Sequence, residues 1–313
     1  MSNVNESVKS VRVPTFSIVM PAYNAAATIE AAIDSVIAQT RDDFELIVVN
    51  DGSTDDTATT VERYLGEPRI RLISQENLGQ AGARNTAIAA SRGEFVSLLD
   101  SDDLWLPHYL EAMAATFARE PSAGVAYTDA WALDDRTRKI ARGTVMGGQH
   151  PAVAPRDPDA FLRALLELGN FVFVGATIRR DVLADVGPFR SGISGAEDYE
   201  LWLRISAHGH RFARCPEILA VYRRRPGQAS ADHEQMSRSG HEVFRIVTEE
   251  YDIPDELRDL ARRRLPMAGV GLQQRSQRTG IPAPIHRLLL SVRHFHLRMP
   301  TEIREAFPDL RSR

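Results

Sequence analysis

The chain has 313 residues, 43% of them hydrophobic and 26% charged, and a formal net charge of −4. That is material for one large domain or one domain with an appendage, and the acidic balance argues against a general nucleic-acid binder. Cys215 is the only cysteine, which excludes an internal disulfide and a thiolate-built zinc site.

Residues 1–14 are polar and mixed, and they are expected to form a flexible arm with no apolar stretch to act as a secretion signal. No apolar run approaches the roughly 18–20 residues that cross a bilayer, so a cytoplasmic protein is expected. Residues 16–20 form a compact β-rich run, ended by Pro21. Ile29, Ile33, Val36 and Ile37 then recur at helical spacing. A second strand is expected over 44–49, stopped by Asn50-Asp-Gly-Ser53. A helix over 57–64, a strand over 70–73, a helix over 82–91 and a strand over 95–99 follow. Such alternation predicts an α/β fold with a mainly parallel, Rossmann-like sheet covered by helices on both faces.

Beyond Pro107 the pattern predicts a helix to about residue 119 and a strand over 125–128. Residues 135–158, rich in Gly, Pro and charge, read as a surface excursion. A helix over 159–168, an apolar strand over 171–178, a mobile glycine-rich loop over 187–195, a helix over 197–207 and a strand over 218–222 complete the domain. Helices then dominate, over about 234–250, 255–274 and 285–297. The expected division is 15–230 for the α/β domain and 231–313 for a C-terminal helical region.

From residue 257 onward twelve arginines face only four acidic residues. Within 285–298, Leu288, Leu289, Val292 and Phe295 alternate with Arg287, Arg293 and Arg298. A basic amphipathic helix of this kind can lie on an anionic membrane, a peripheral contact at its inner face. Packing onto the α/β domain accounts for the same pattern, and spacing alone leaves both open.

In open α/β sheets ligands bind beyond the carboxyl ends of the strands. The first strand ends in Pro21-Ala-Tyr-Asn24, which is neither the glycine fingerprint of dinucleotide binders nor a Walker A loop. Tyr23 can stack on a flat base. Asp51 can accept a hydrogen bond from a base imide N–H or a ribose hydroxyl, and turn chemistry explains it equally well. Asp100 and Asp102 lie two apart at a strand end, so both carboxylates point to one side, where they suit Mg²⁺ or Mn²⁺ on a phosphate. Capping of the following turn by Asp102 or Asp103 is the competing explanation.

Four segments together, Ser17-Ile-Val-Met-Pro-Ala-Tyr-Asn24, Val48-Val-Asn-Asp-Gly-Ser-Thr-Asp55, Glu76-Asn-Leu-Gly-Gln-Ala-Gly-Ala-Arg-Asn85 and Leu98-Leu-Asp-Ser-Asp-Asp103, resemble the family 2 glycosyltransferases. The likeness continues in Gly195-Ala-Glu-Asp-Tyr-Glu-Leu-Trp-Leu-Arg204 and Val221-Tyr-Arg223. It implies a GT-A fold and an inverting, metal-dependent enzyme that uses a nucleoside-diphosphate sugar. The acceptor would be a hydroxyl of a glycan, a lipid-linked molecule or a small molecule, in surface polysaccharide or glycoconjugate synthesis. By that resemblance Pro21, Tyr23 and Asp51 line the nucleoside pocket and Asp100 sits near the ribose. Asp102 would hold the metal, and Arg84 would steady Asp51 or a phosphate. Asp198 falls where the family places its catalytic base; an acidic first helical turn is the plainer account of Glu197-Asp198.

Family members often carry a histidine before Pro-Gly where this chain has Arg225. Guanidinium cannot coordinate a cation but pairs well with phosphate oxygens, so Arg225 is expected on the diphosphate. Asp51 favours UDP or dTDP as donor, although guanine also presents an imide N–H. The rival readings are a sugar-nucleotide nucleotidyltransferase, which would require a nucleoside triphosphate, and a catalytically inactive sugar-nucleotide-binding subunit.

Overall fold

A computed structural model describes residues 13–146, 156–173, 175–225, 228 and 232–268. The arm over 1–12, the helix expected over 285–297 with its membrane contact, and parts of 135–158 and 255–274 lie outside the described residues.

The first half follows the expected alternation: β1 Phe16–Ala22, α1 Ile29–Ile37, β2 Phe44–Asp51, α2 Thr57–Glu62, β3 Ile70–Gln75, α3 Gly79–Ala90 and β4 Phe95–Leu98. β1 pairs in parallel with both β2 and β4, and β2 with β3. Alternate residues of these strands enter opposite layers of core. Val19, Ile47, Val49, Val96 and Leu98 face one layer, while Phe16, Ile18, Met20, Leu46 and Val48 face the other. α1 closes the second layer with Ile29, Ala32, Ile33 and Val36, the apolar stripe that its sequence spacing predicts.

The second half is a mixture. β5 Leu104–Trp105, α4 Tyr109–Arg119, β6 Ala123–Asp134, β7 Lys139–Thr144, α5 Pro158–Leu168, β8 Thr177–Arg179, α6 Arg180–Val186, α7 Glu197–Ala207 and β9 Arg211–Arg224 follow in order. The sheet runs β3-β2-β1-β4-β8-β6-β9-β5, with β7 on β6. β8 is antiparallel to both β4 and β6, while β9 runs parallel to β6.

Two expectations fail here, and one helix gave no sequence signal. The surface excursion over 135–158 contains β7, which forms a hairpin with β6 around Arg138 at φ 56°. The apolar run 171–178 is a strand only from Thr177. Phe171 and Val172 plug one core layer and Phe173 the other, so burial without pairing produced the strand-like run. The seven-residue α6 is too short for a visible period and ends at Gly187, φ 86°.

α8 His233–Glu250 and α9 Asp255–Ala268 are the helices expected after the sheet. Val243, Phe244, Ile246, Val247, Leu257 and Ala261 enter the same core layer as Val19, Ile47 and Val49. Among the described residues no helix is long and apolar enough to cross a membrane.

Candidate active site

The loops leaving β1 and β2 are latched to each other. Asn24, at φ 48°, donates its N–H to Ser53 Oγ at 3.0 Å, and its Oδ1 accepts from the Thr54 N–H at 2.8 Å. Asp55 accepts from the N–H groups of Ala26 and Thr57, and Thr57 Oγ1 accepts from the Ala25 N–H. Burial pushes the Asp55 carboxyl up, but these hydrogen bonds outweigh it and hold its pKa below the usual value. Gly52, at φ 72°, lies so close to Asn77 that a Cβ there would meet its backbone nitrogen at 2.9 Å. The motif residues around Tyr23 and Asp51 therefore fix the loop shape.

On that frame Pro21 is buried opposite Val49, while Tyr23 beside it is 53% exposed. Asp51 is buried at the end of β2. Its Oδ1 accepts from Gln75 Nε2 at 2.7 Å and from the Leu78 N–H at 2.9 Å. Gln75 sits directly across from Asp51 in the β2–β3 ladder. Gln75 shows no sign of this role within its own strand, and the parallel pairing of the two strand ends is what places it there.

Asp100, Asp102 and Asp103 cluster beyond β4, each offering a carboxylate oxygen within 4.8 Å of the others. Asp103, read from sequence only as a turn cap, is buried. Its Oδ1 accepts the Arg223 N–H at 3.1 Å, and burial followed by the charges of Asp102 and Asp100 pushes its pKa well up. Arg223, 4% exposed, donates to the carbonyls of Asp102 and Thr28, so β9 clamps the acidic turn. Asp102 is only partly buried. Its Oδ2 accepts from Arg225 Nη2 at 2.9 Å and Gln228 Nε2 at 3.2 Å. Hard carboxylate oxygens at this spacing, with Asp102 Oδ1 accepting from no described residue, fit a divalent ion that also takes phosphate oxygens.

Arg84 lies differently from the sequence expectation. It is 2% exposed, and its partners are Asp100 Oδ1 at 2.7 Å and Glu197 Oε1 at 3.2 Å, not Asp51. The guanidinium thus ties the end of β4 to the first turn of α7, 113 residues away in sequence. Burial opposes its charge, and Asp100 and Glu197 outweigh that, so Arg84 stays a cation. Burial, partly offset by Arg84, raises the pKa of Asp100.

Asp198 follows Glu197 on α7. Its Oδ2 accepts from Asn170 Nδ2 at 3.0 Å and its Oδ1 from the Tyr199 N–H at 2.7 Å. Asp198 keeps some solvent contact, yet lost hydration and then the Glu197 charge push its pKa up to about 6. Arg84 and the two hydrogen bonds pull the other way. Asn170 carried no signal in the sequence, since it stands in the gap between α5 and the buried 171–173 run.

Parallel strands carrying acids at their carboxyl ends, with a buried arginine joining them to an acidic helix start, make up the candidate site on a GT-A fold. The chain matches the model described as glycosyl transferase family 2 over residues 17–187, more than half its length, and it belongs to that family. It is 34% identical to the chondroitin synthase of Escherichia coli over 205 residues, 65% of this chain and 28% of the synthase. It is 47% identical over 96 residues to the Escherichia coli UDP-Glc:alpha-D-GlcNAc-diphosphoundecaprenol beta-1,3-glucosyltransferase WfgD, 30% of this chain and 38% of that enzyme. The chain therefore spans only part of the length of these relatives. Among solved structures, S. aureus TarS 1–349 in complex with UDP-GlcNAc superposes with TM-score 0.64 at 21% identity, covering 81% of this chain and 72% of the other. The mannosyltransferase PcManGT from Pyrobaculum calidifontis, in complex with GDP-Man and Mn²⁺, gives 0.59 at 21% identity, covering 90% and 81%.

Proposed function

We propose that the chain moves a sugar, with inversion, from a nucleoside-diphosphate sugar to an acceptor hydroxyl during assembly of a polysaccharide or glycoconjugate. The observation that carries this is the Asp100–Arg84–Glu197 bridge, which joins the acidic turn after β4 to the helix start bearing Asp198. The named activities of the relatives support the substrate class, and UDP-GlcNAc in TarS supports a nucleotide sugar.

In this reading Tyr23 stacks on the base and Pro21 closes the wall behind it. Asp51 accepts the imide N–H of uracil or thymine through Oδ2, while Gln75 and the Leu78 N–H fix its other oxygen. Asp100, oriented by Arg84, accepts a ribose hydroxyl. Asp102 holds Mg²⁺ or Mn²⁺, which when bound offsets the charge of the departing nucleoside diphosphate. Arg225 pairs with the diphosphate oxygens. Asp198 takes the proton of the attacking acceptor hydroxyl, and a pKa of about 6 leaves it ionised yet usefully basic at neutral pH. Attack from the face opposite the leaving group, in one displacement, inverts the anomeric centre.

The test is a thermal-shift screen of UDP, dTDP, GDP and ADP with and without Mn²⁺, followed by assay of donor hydrolysis and transfer. UDP or dTDP should stabilise best, and only with the ion present. Preference for ADP, or turnover only with a nucleoside triphosphate and a sugar phosphate, overturns the assignment.

A further inference from the structure

Asp102 already has a cation on it. Arg225 Nη2 sits 2.9 Å from Asp102 Oδ2, and Gln228 shares the same oxygen. The Arg225 N–H donates to Gln228 Oε1 at 2.9 Å, so the two residues that meet on the carboxylate are also tied to each other. Arg225 Nε, shielded from water, has no acceptor among the described residues. The guanidinium is therefore parked on the proposed metal ligand, with one N–H unpartnered among the described residues.

A divalent ion on Asp102 would share the carboxylate with that guanidinium. Arginine stays protonated throughout the physiological range, so proton loss cannot relieve the repulsion, and a partly desolvated site screens it poorly. An incoming diphosphate changes the balance. It offers several anionic oxygens in the planar arrangement a guanidinium fork matches, including one for the unspent Nε.

We infer that Arg225 is a built-in counter-cation of Asp102, held there in the nucleotide-free protein and transferred to the diphosphate when the donor arrives. This rests on the proposed function and adds a binding order to it. Metal capture by the empty site is weak, and nucleotide strengthens it both by adding phosphate ligands and by drawing Arg225 away. Reciprocity requires the ion to strengthen nucleotide binding by the same factor. The competing geometry puts the ion on Asp102 Oδ1 alone, with Arg225 undisturbed on Oδ2.

Mn²⁺ binding to the full chain, followed by the electron paramagnetic resonance signal of the free ion, separates these without any turnover. Without nucleotide, Arg225→Gln should bind Mn²⁺ about 10-fold tighter than the parent, a coupling of ordinary size. Arg225→Met should do the same and guards against misfolding of one variant. Arg224→Gln removes an equal charge from the exposed neighbouring position and should stay within about two-fold of the parent, whereas a long-range field effect would move both alike. Adding UDP should tighten Mn²⁺ binding more in the parent than in Arg225→Gln. Unchanged Mn²⁺ affinity in both Arg225 variants, or an equal gain in Arg224→Gln, overturns the inference. Asp102→Asn in the presence of UDP keeps the two levels apart: loss of Mn²⁺ there sustains the metal assignment whatever the Arg225 variants do. Full retention overturns both.

Discussion

The loops that leave β1 and β2 are held by hydrogen bonds between side chains and backbone drawn from two adjacent turns, with the Asp55 carboxylate among the acceptors. The start of α7 is held by side chains recruited from far along the chain, the Arg84 cation on Glu197 and the Asn170 amide on Asp198. The first arrangement gives a rigid floor built from local contacts. The second makes the position of Asp198 depend on a buried balance of one cation against three acids, which also sets its basicity. Perturbing the first should loosen binding, and perturbing the second should alter chemistry and stability together.

The largest effect is expected from Asp198→Asn, which should lower kcat by about 10²–10⁴ with little change in donor affinity. The same change should raise stability. Because the folded pKa of Asp198 lies above its ordinary value, the folded state holds an extra proton between about pH 4 and 6, and stability falls as pH rises through that window. Removing the charge should therefore raise Tm at pH 8 and leave it nearly unchanged at pH 4, on the order of 2–3 kcal/mol at the higher pH. Equal Tm values at pH 8 would break the claim that the site is paid for in stability.

Arg84→Met should come next, destabilising the fold by about 3–5 kcal/mol because Asp100 and Glu197 lose their common partner. Adding Glu197→Gln should recover part of that loss in denaturant melts, and strict additivity would show that the bridge couples nothing. Tyr23→Ala is a smaller change on the rigid side. It should weaken donor binding by about 1–3 kcal/mol in titration calorimetry, with Tm almost unaffected because the ring is exposed.

The finest distinction comes from Asn170→Ala. Its amide favours the charged form of Asp198, so removing it should move the acid limb of the kcat profile above about pH 6. Loss of rate without that displacement would mean Asn170 only shapes the loop.

The floor of the site was legible in the sequence because its parts are local. Tyr23, Asp51, Asp100 and Asp102 each stand at the end of a run whose strand character shows in the residues themselves, and parallel pairing of those runs is enough to gather them. Asp103, Arg223 and Asn170 were not legible, since each acquires its role from a neighbour more than 25 positions away. Arg84 shows the limit well: its helix was visible, but burial and a long-range partner decide which acids it meets. The same holds for 171–173, where an apolar run fills core without joining the sheet.

The close seating of α8 has one more outcome. Ser239 Oγ donates to the Ser194 carbonyl at 2.8 Å, and a Cβ on Gly195 would come within 2.7 Å of Met236 Sδ. Phe244 and Val247 meanwhile seal the layer under α7. A shortened chain stopping at residue 230 would bare this greasy seam and is expected to precipitate. Anyone wishing to detach the arginine-rich tail should cut beyond Ala268, where both helices remain as a cover.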